Sequence, residues 1–183
     1  MPTILTHPAV PLMLGLALGR ARIARPLLAA GIGAAIAPDL DVIGFRLGIG
    51  YAEDLGHRGI SHSLLFAVVL GLLALAAAPW LRTRRASAFA FVAASAASHG
   101  LLDMCTNGGL GVALLWPFSD ARLFFPAHPI QVSPFSLGRV FGPDAARLFG
   151  SELLWVWLPC ALAGLAVLML RRRSDSARAA VPP

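Results

Sequence analysis

Five times between Thr3 and Leu170 the chain enters a mostly apolar stretch close to the ~20 residues a helix needs to cross a bilayer. The stretches are Thr3–Gly19, Pro26–Phe45, Ser63–Leu81, Ser87–Met104 and Leu153–Leu170. The first is short, which little tilt or a locally thinned bilayer accommodates. Composition agrees: 57% of residues are apolar, 13% are charged, and the mean hydropathy is +0.74. Soluble domains carry about 25% charged residues, so the expected fold class is all-α, a polytopic membrane bundle of five spans. At 183 residues one domain is expected. It covers residues 1–173, and 174–183 form a short disordered cytoplasmic tail.

All fifteen basic residues are Arg, which is read as codon bias. Arg20, Arg22 and Arg25 follow the first span, Arg82, Arg84 and Arg85 the third, and Arg171, Arg172, Arg173 and Arg178 the fifth. Clusters flanking apolar runs are what the positive-inside bias produces. The net charge of +6 is therefore read as topology, and no nucleic-acid partner is expected. An odd number of spans with the N-terminus outside and the C-terminus inside puts every cluster in the cytoplasm. No cleaved signal peptide is read in the N-terminal sequence. Trp80, Trp155 and Trp157 suit interfacial anchors. Cys105 and Cys160 make neither a disulfide framework nor a thiolate metal site.

Residues 105–152 fall outside on this topology. They are rich in Phe, Pro and Gly, which predicts a lid or re-entrant element on the membrane surface. No internal repeat is read: "SHSLL" at Ser61 and "SHGLL" at Ser98 fall at opposite ends of their helices.

The polar residues near span ends form a pattern of their own. His7, Asp39, Asp41, His57, His62, His99 and Asp103 all fall at the external end of their spans. None was used to set the orientation. His99 and Asp103, at i and i+4, lie about 40° apart around a helix, so both reach one ion. His99 is about 18 Å up a hydrocarbon core of ~30 Å, where an ionisable group is costly and marks function. Asp39 and Asp41 converge only if the helix ends near Pro38. Gly59 suits a turn between His57 and His62.

Imidazole and carboxylate are ligands for zinc first, with manganese or iron as alternatives. Seven such groups exceed one four-coordinate site. Either more than one ion binds, or some residues orient ligands or act as general base. Arg58 either stabilises a phosphate or oxyanion, or balances Asp39, Asp41 or Asp54. Ser61 and Ser63 are read as N-caps of the third span. His128 lacks an acidic neighbour and is left out.

In order, "TH" near the N-terminus, "PDLD", "HRGISHS" and "HGLLD" resemble the LexA-regulated, membrane-bound metal-dependent hydrolases of the YdjM type. "WPFSDARLFF" and "PIQVSPF" resemble that family's C-terminal half. Ser61 stands where Thr is frequent in the motif. The resemblance implies kinship with zinc-dependent phospholipase C and P1-type nucleases, helical enzymes that cleave phosphoesters with several zinc ions. It carries His7, Asp39, Asp41, His57, His62, His99 and Asp103 over as ligand positions.

The expected function is metal-dependent hydrolysis of a phosphoester, lipid-linked by its position, at the external face of a bacterial inner membrane. An ion-activated water is the expected nucleophile, Asp41 or Asp103 its base, and Arg58 a charge stabiliser. The alternatives are a non-catalytic metal-binding membrane protein and an ion- or proton-coupled transporter. The bilayer and a lipid or phosphoester substrate are the expected partners.

Overall fold

A chain in hydrocarbon must satisfy its backbone polar groups within each segment, and helices do so. The structure, a computed structural model, describes residues 1–179; its regular elements are helices, with two isolated β-bridges and no strand among the described residues, and residues 48–59 and 105–136 are irregular. The α-helices are α1 (Ala9–Leu18), α2 (Arg25–Ile36), α3 (Leu64–Ala76), α4 (Arg85–Met104), α5 (Leu137–Val140), α6 (Ala145–Glu152) and α7 (Leu158–Ala179). A 3₁₀ stretch over Ala37–Leu47 prolongs α2, and a π-turn over Leu153–Trp157 joins α6 to α7.

Two of the resulting helices are long and apolar enough to cross a membrane: Arg25–Leu47 and Ala145–Ser174. Helices α1 and α3 are apolar but shorter. The last helix begins at Ala145, inside the segment expected to lie outside the bundle, and continues through Ala179 where the sequence suggested a disordered tail. Residues 180–183 lie outside the described residues.

Helices α2, α3 and α4 pack together, and α1 packs along α7. Their shared core is mostly alanine: Ala34, Ala67, Ala74, Ala78, Ala88 and Ala96, with Leu27, Phe91 and Val92. Small residues let backbones approach closely, which is how helices associate in lipid. Gly31 shows the tolerance: a Cβ there would lie 2.4 Å from the Phe91 ring. The outer faces are the reverse of a soluble surface. Leu72, Leu73, Leu162, Leu165 and Leu170 are exposed, and so are Trp80 and Trp155. Trp157 is not a free interfacial anchor, because its indole N–H donates to Thr6 Oγ1 at 3.1 Å.

The three arginine clusters meet at one end. Arg22, Arg82 and Arg84 line one cavity, and the Arg171 guanidinium reaches the α1 C-cap at Gly19. The histidines and aspartates gather at the other end.

Candidate metal centre

Helix α4 sets the floor of the site with His99 and Asp103, one turn apart on its inner face. Gly100 between them lets the His62 backbone approach, since a Cβ there would sit 2.7 Å from the His62 carbonyl oxygen. The Ala35 carbonyl accepts from His99 Nδ1 at 2.7 Å. That fixes the proton on Nδ1 and leaves Nε2 as a lone pair pointing inward.

Asp39 and Asp41 come together by a change of helix type. The α-helix ends at Ile36 and the tighter 3₁₀ winding carries Pro38 in its first turn. The expected bend is thus a switch in pitch at Ala37. Asp39 faces the floor, its Oδ1 3.4 Å from His99 Nε2. Asp41 faces the HRGISHS loop, where Oδ1 lies 2.6 Å from His57 Nδ1 and Oδ2 lies 3.2 Å from His62 Nδ1. Ser61 Oγ also donates to Asp41 Oδ2 at 2.6 Å. So Ser61 is no helix cap. Ser63 alone caps α3, accepting from the Phe66 N–H. Asp41 therefore holds His57 by its Nδ1 and faces His62 on the same side, where Ser61 Oγ lies 2.9 Å from His62 Nδ1, so both Nε2 atoms turn into the interior.

His7 lies ahead of α1 and stacks on His99 with ring centroids 3.6 Å apart. Its Nε2 is 3.7 Å from Asp39 Oδ2 and 3.8 Å from Asp103 Oδ1. His62 Nε2 is 3.0 Å from His99 Nε2 and 3.3 Å from Asp103 Oδ2. All seven predicted residues thus converge. Asp41 stands behind His57 and His62, and the other six present donor atoms inward.

Two groups are close enough to share an ion: His7, His99 and Asp103, and Asp39, His57 and His62. The tightest contacts run between the two groups, His62 Nε2 to His99 Nε2 and to Asp103 Oδ2 and His99 Nε2 to Asp39 Oδ1, at 3.0 to 3.4 Å, while pairs within a group lie 3.8 to 4.0 Å apart, so the six residues form one continuous donor cluster. Both Asp39 oxygens, both Asp103 oxygens, His57 Nε2 and both His7 nitrogens are buried without a hydrogen-bond partner. Buried polar atoms are normally satisfied. Two imidazole Nε2 atoms 3.0 Å apart beside carboxylate oxygens without hydrogen-bond partners make a set of donors that a cation would satisfy. The donor set therefore fits a divalent metal.

Burial lowers the pKa of His57, and the Asp41 hydrogen bond offsets this only in part. For His62 burial also opposes the charged form, but the neighbouring Asp103 and Asp41 carboxylates outweigh it and raise the pKa to about 9.

Arg58 is fully buried and has a left-handed backbone, φ 65°. Its guanidinium donates to the Gly108 and Leu110 carbonyls at 3.1 and 2.7 Å and to Thr106 Oγ1 at 2.7 Å. Its Nε lies 3.2 Å from Asp103 Oδ2. Among the expected partners, Asp41 takes only its backbone N–H, and the side chain ties Asp103 to the 106–110 loop. That geometry positions Asp103 and does not turn the guanidinium outward.

Phe45, Tyr51 and Phe135 surround the His57 ring at centroid distances of 5.2 to 6.3 Å. Arg122 clips residues 112–123 onto the loop through the Ala52 and Glu53 carbonyls. His128 packs on Phe124, exposed and outside the cluster. One group the sequence reading missed is Glu152, buried at the end of α6. It accepts from the Thr3 N–H, Thr3 Oγ1 and Thr6 Oγ1, tying the last helix to the segment that carries His7. A lone carboxylate at the mouth of an apolar run was the available signal. The two "SH" motifs read as unrelated place His62 and His99 face to face.

A helical, alanine-cored membrane protein with a buried His/Asp cluster at one end is the class defined so far. The family model of YdjM inner membrane proteins matches residues 1–174, and the chain belongs to that family. It is 47% identical over 174 residues to the inner membrane protein YbcI of Escherichia coli (strain K12), covering 94% of this chain and 100% of that one. Both place it in the inner membrane. No solved structure matches.

Proposed function

We propose that this protein is a membrane-embedded, metal-dependent hydrolase that cleaves a phosphoester, lipid-linked by its position, at the external face of the membrane. The observation that carries the reading is the inward convergence of four imidazoles with Asp39 and Asp103, whose oxygens have no hydrogen-bond donor. These residues would hold a divalent ion, zinc first by its ligands, and when bound it would supply a Lewis acid and lower the pKa of a water toward neutral. Asp41, both of whose oxygens are engaged, orients His57 and His62. Asp103 is the carboxylate placed to accept a proton, and Arg58 holds it in position.

In this reading α1, α2 with its 3₁₀ extension, α3, α4 and α6–α7 are the five spans. The N-terminus is outside, and the arginine end faces the cytoplasm. The meeting of the arginine clusters at one end and the ligands at the other supports that orientation. Phe45, Tyr51 and Phe135 form the lip through which a lipid-linked substrate approaches His57.

One observation favours a second reading, a non-catalytic metal-binding protein: His7, His57, His99 and Asp103 are all fully buried, as closed structural metal sites are. A carrier would need polar groups continuing toward the arginine end, where the alanine-rich core lies instead.

Metal analysis of detergent-purified protein decides the first step. Wild type is expected to hold divalent metal and the His99→Ala/Asp103→Ala variant none. Equal, negligible metal in both would overturn the site. Metal without turnover of any phosphodiester or phospholipid in a panel would move the protein to the second reading.

A further inference from the structure

The arginine end holds a cavity of about 900 Å³ between α1, the turn after it, the turn before α4, and α4 itself. Ligand pockets commonly run from about 300 to 1,000 Å³. Arg22, Arg82 and Arg84 line its polar part, and Leu18, Phe91 and Ala94 its apolar part. We propose that this crevice binds an anionic phospholipid, the phosphate against the guanidiniums and an acyl chain along α4.

Charge and shape both carry the assignment. The positive-inside bias asks only for basic residues in the connecting loops. It does not ask that arginines from two separate turns line one crevice. None of the three makes an ion pair with a carboxylate among the described residues. Arg82 has a left-handed backbone, φ 53°, which costs a non-glycine residue energy and holds the tight turn that presents it. Guanidinium forks match phosphate oxygens.

Below the arginines α4 offers exposed alanines, Ala90 and Ala94, beside Phe91, whose ring is pinned on Gly31. From Ser87 to Ala94 that is about 10 Å of channel along the helix. Apolar walls running on from a cationic mouth suit an amphiphile and give a free phosphate nothing. A second copy of the chain is a poor occupant. Apart from Asp175, every Asp and Glu lies in residues 39–54 or 103–152, so a parallel copy would bring arginine against arginine. The inference needs only the membrane location and stands apart from the hydrolase reading.

Native mass spectrometry of the detergent-solubilised full chain tests it, with phosphatidylglycerol, phosphatidylcholine or inorganic phosphate added in turn. Wild type is expected to bind phosphatidylglycerol well above phosphatidylcholine, without competition from inorganic phosphate. The triple variant Arg22→Gln/Arg82→Gln/Arg84→Gln should lose on the order of a hundredfold in that affinity, at about a factor of five per guanidinium. Ala94→Leu, which fills the channel with the arginines intact, should also weaken it. Arg25→Gln/Arg172→Gln/Arg173→Gln, which removes equal charge from residues that do not line the crevice, should not. Unchanged helicity by circular dichroism checks the fold of each variant. Four outcomes overturn the proposal: equal binding of the two lipids, displacement by inorganic phosphate, equal loss in the control variant, or a dimer that Ala94→Leu dissolves.

Discussion

His57 Nδ1 lies 2.6 Å from Asp41 Oδ1, while the other oxygen of the same carboxylate lies 3.2 Å from His62 Nδ1. Asp41, with Ser61 Oγ hydrogen-bonded to it and 2.9 Å from His62 Nδ1, thus sets the direction of two imidazoles, as outer carboxylates do at histidine metal sites. Asp41→Asn keeps the size but leaves one acceptor oxygen for two rings. Metal affinity, measured by competition with a chromogenic chelator, is expected to fall by roughly 10–100-fold. Asp39→Ala, which removes a donor from the interior, should cost more. An Asp41→Asn loss as large as that of Asp39→Ala would make Asp41 a direct ligand, and no loss would remove its orienting part.

Arg58 joins Asp103 to the 106–110 loop from a fully buried position. Arg58→Met strips the carbonyls of Gly108 and Leu110 of a donor and takes the guanidinium away from Asp103. Breaking a buried pair in this way costs about 3–5 kcal/mol. Arg58→Lys retains charge but not the planar fork, so it should recover only part of that. Arg122→Gln, which loses bonds to exposed carbonyls, should cost about 1 kcal/mol. Thermal unfolding of the metal-free protein in detergent measures all three. An Arg58→Met variant as stable as wild type would show the guanidinium free to meet a substrate.

The sequence disclosed the members of the site better than their parts in it. Ionisable groups in apolar runs stand out because burying them is costly, and the i, i+4 spacing of His99 and Asp103 alone puts them on one helix face. Asp39 and Asp41 were harder. Which faces the interior depends on the change from α to 3₁₀ winding at Ala37, and a two-residue spacing does not report that. Arg58 closes on residues 48 to 52 positions away, and Glu152 on Thr3 at a separation of 149, so no local pattern encodes either contact. The start of the last helix was misplaced for a related reason. Residues 145–152 fall in a stretch that the topology and its Phe, Pro and Gly content read as exterior, and no local signal shows that Glu152 is buried against Thr3 and Thr6.

Orientation is open to direct labelling. Glu53 sits in the loop above the His/Asp end, and Arg84 lies at the arginine end. Glu53→Cys in a Cys105→Ser/Cys160→Ser background is expected to react with a membrane-impermeant maleimide added outside intact spheroplasts. Arg84→Cys in the same background should react only after lysis. The reverse pattern would turn the protein over and place the metal centre on the cytoplasmic side.

Metal uptake should depend on pH through His62. In the metal-free protein its pKa is raised to about 9, so near neutral pH it carries a proton, while burial keeps His57 neutral. An entering ion needs the His62 Nε2 lone pair and must displace that proton. Between about pH 7 and about pH 9 the metal-free form then binds one proton more than the loaded form. Raising the pH therefore favours loading, by about tenfold in affinity per unit, until the curve flattens near 9. For the metal-free fold the sign is opposite. A raised histidine pKa stabilises the folded state fully below the unfolded value of about 6.5, and that contribution is lost as the pH climbs to about 9. Titration calorimetry in buffers of different ionisation heat should find close to one proton released per ion near neutral pH, and His62→Ala should abolish the slope. A wild-type affinity that stays flat between about pH 7 and about pH 9 would mean that His62 carries no proton for the ion to displace.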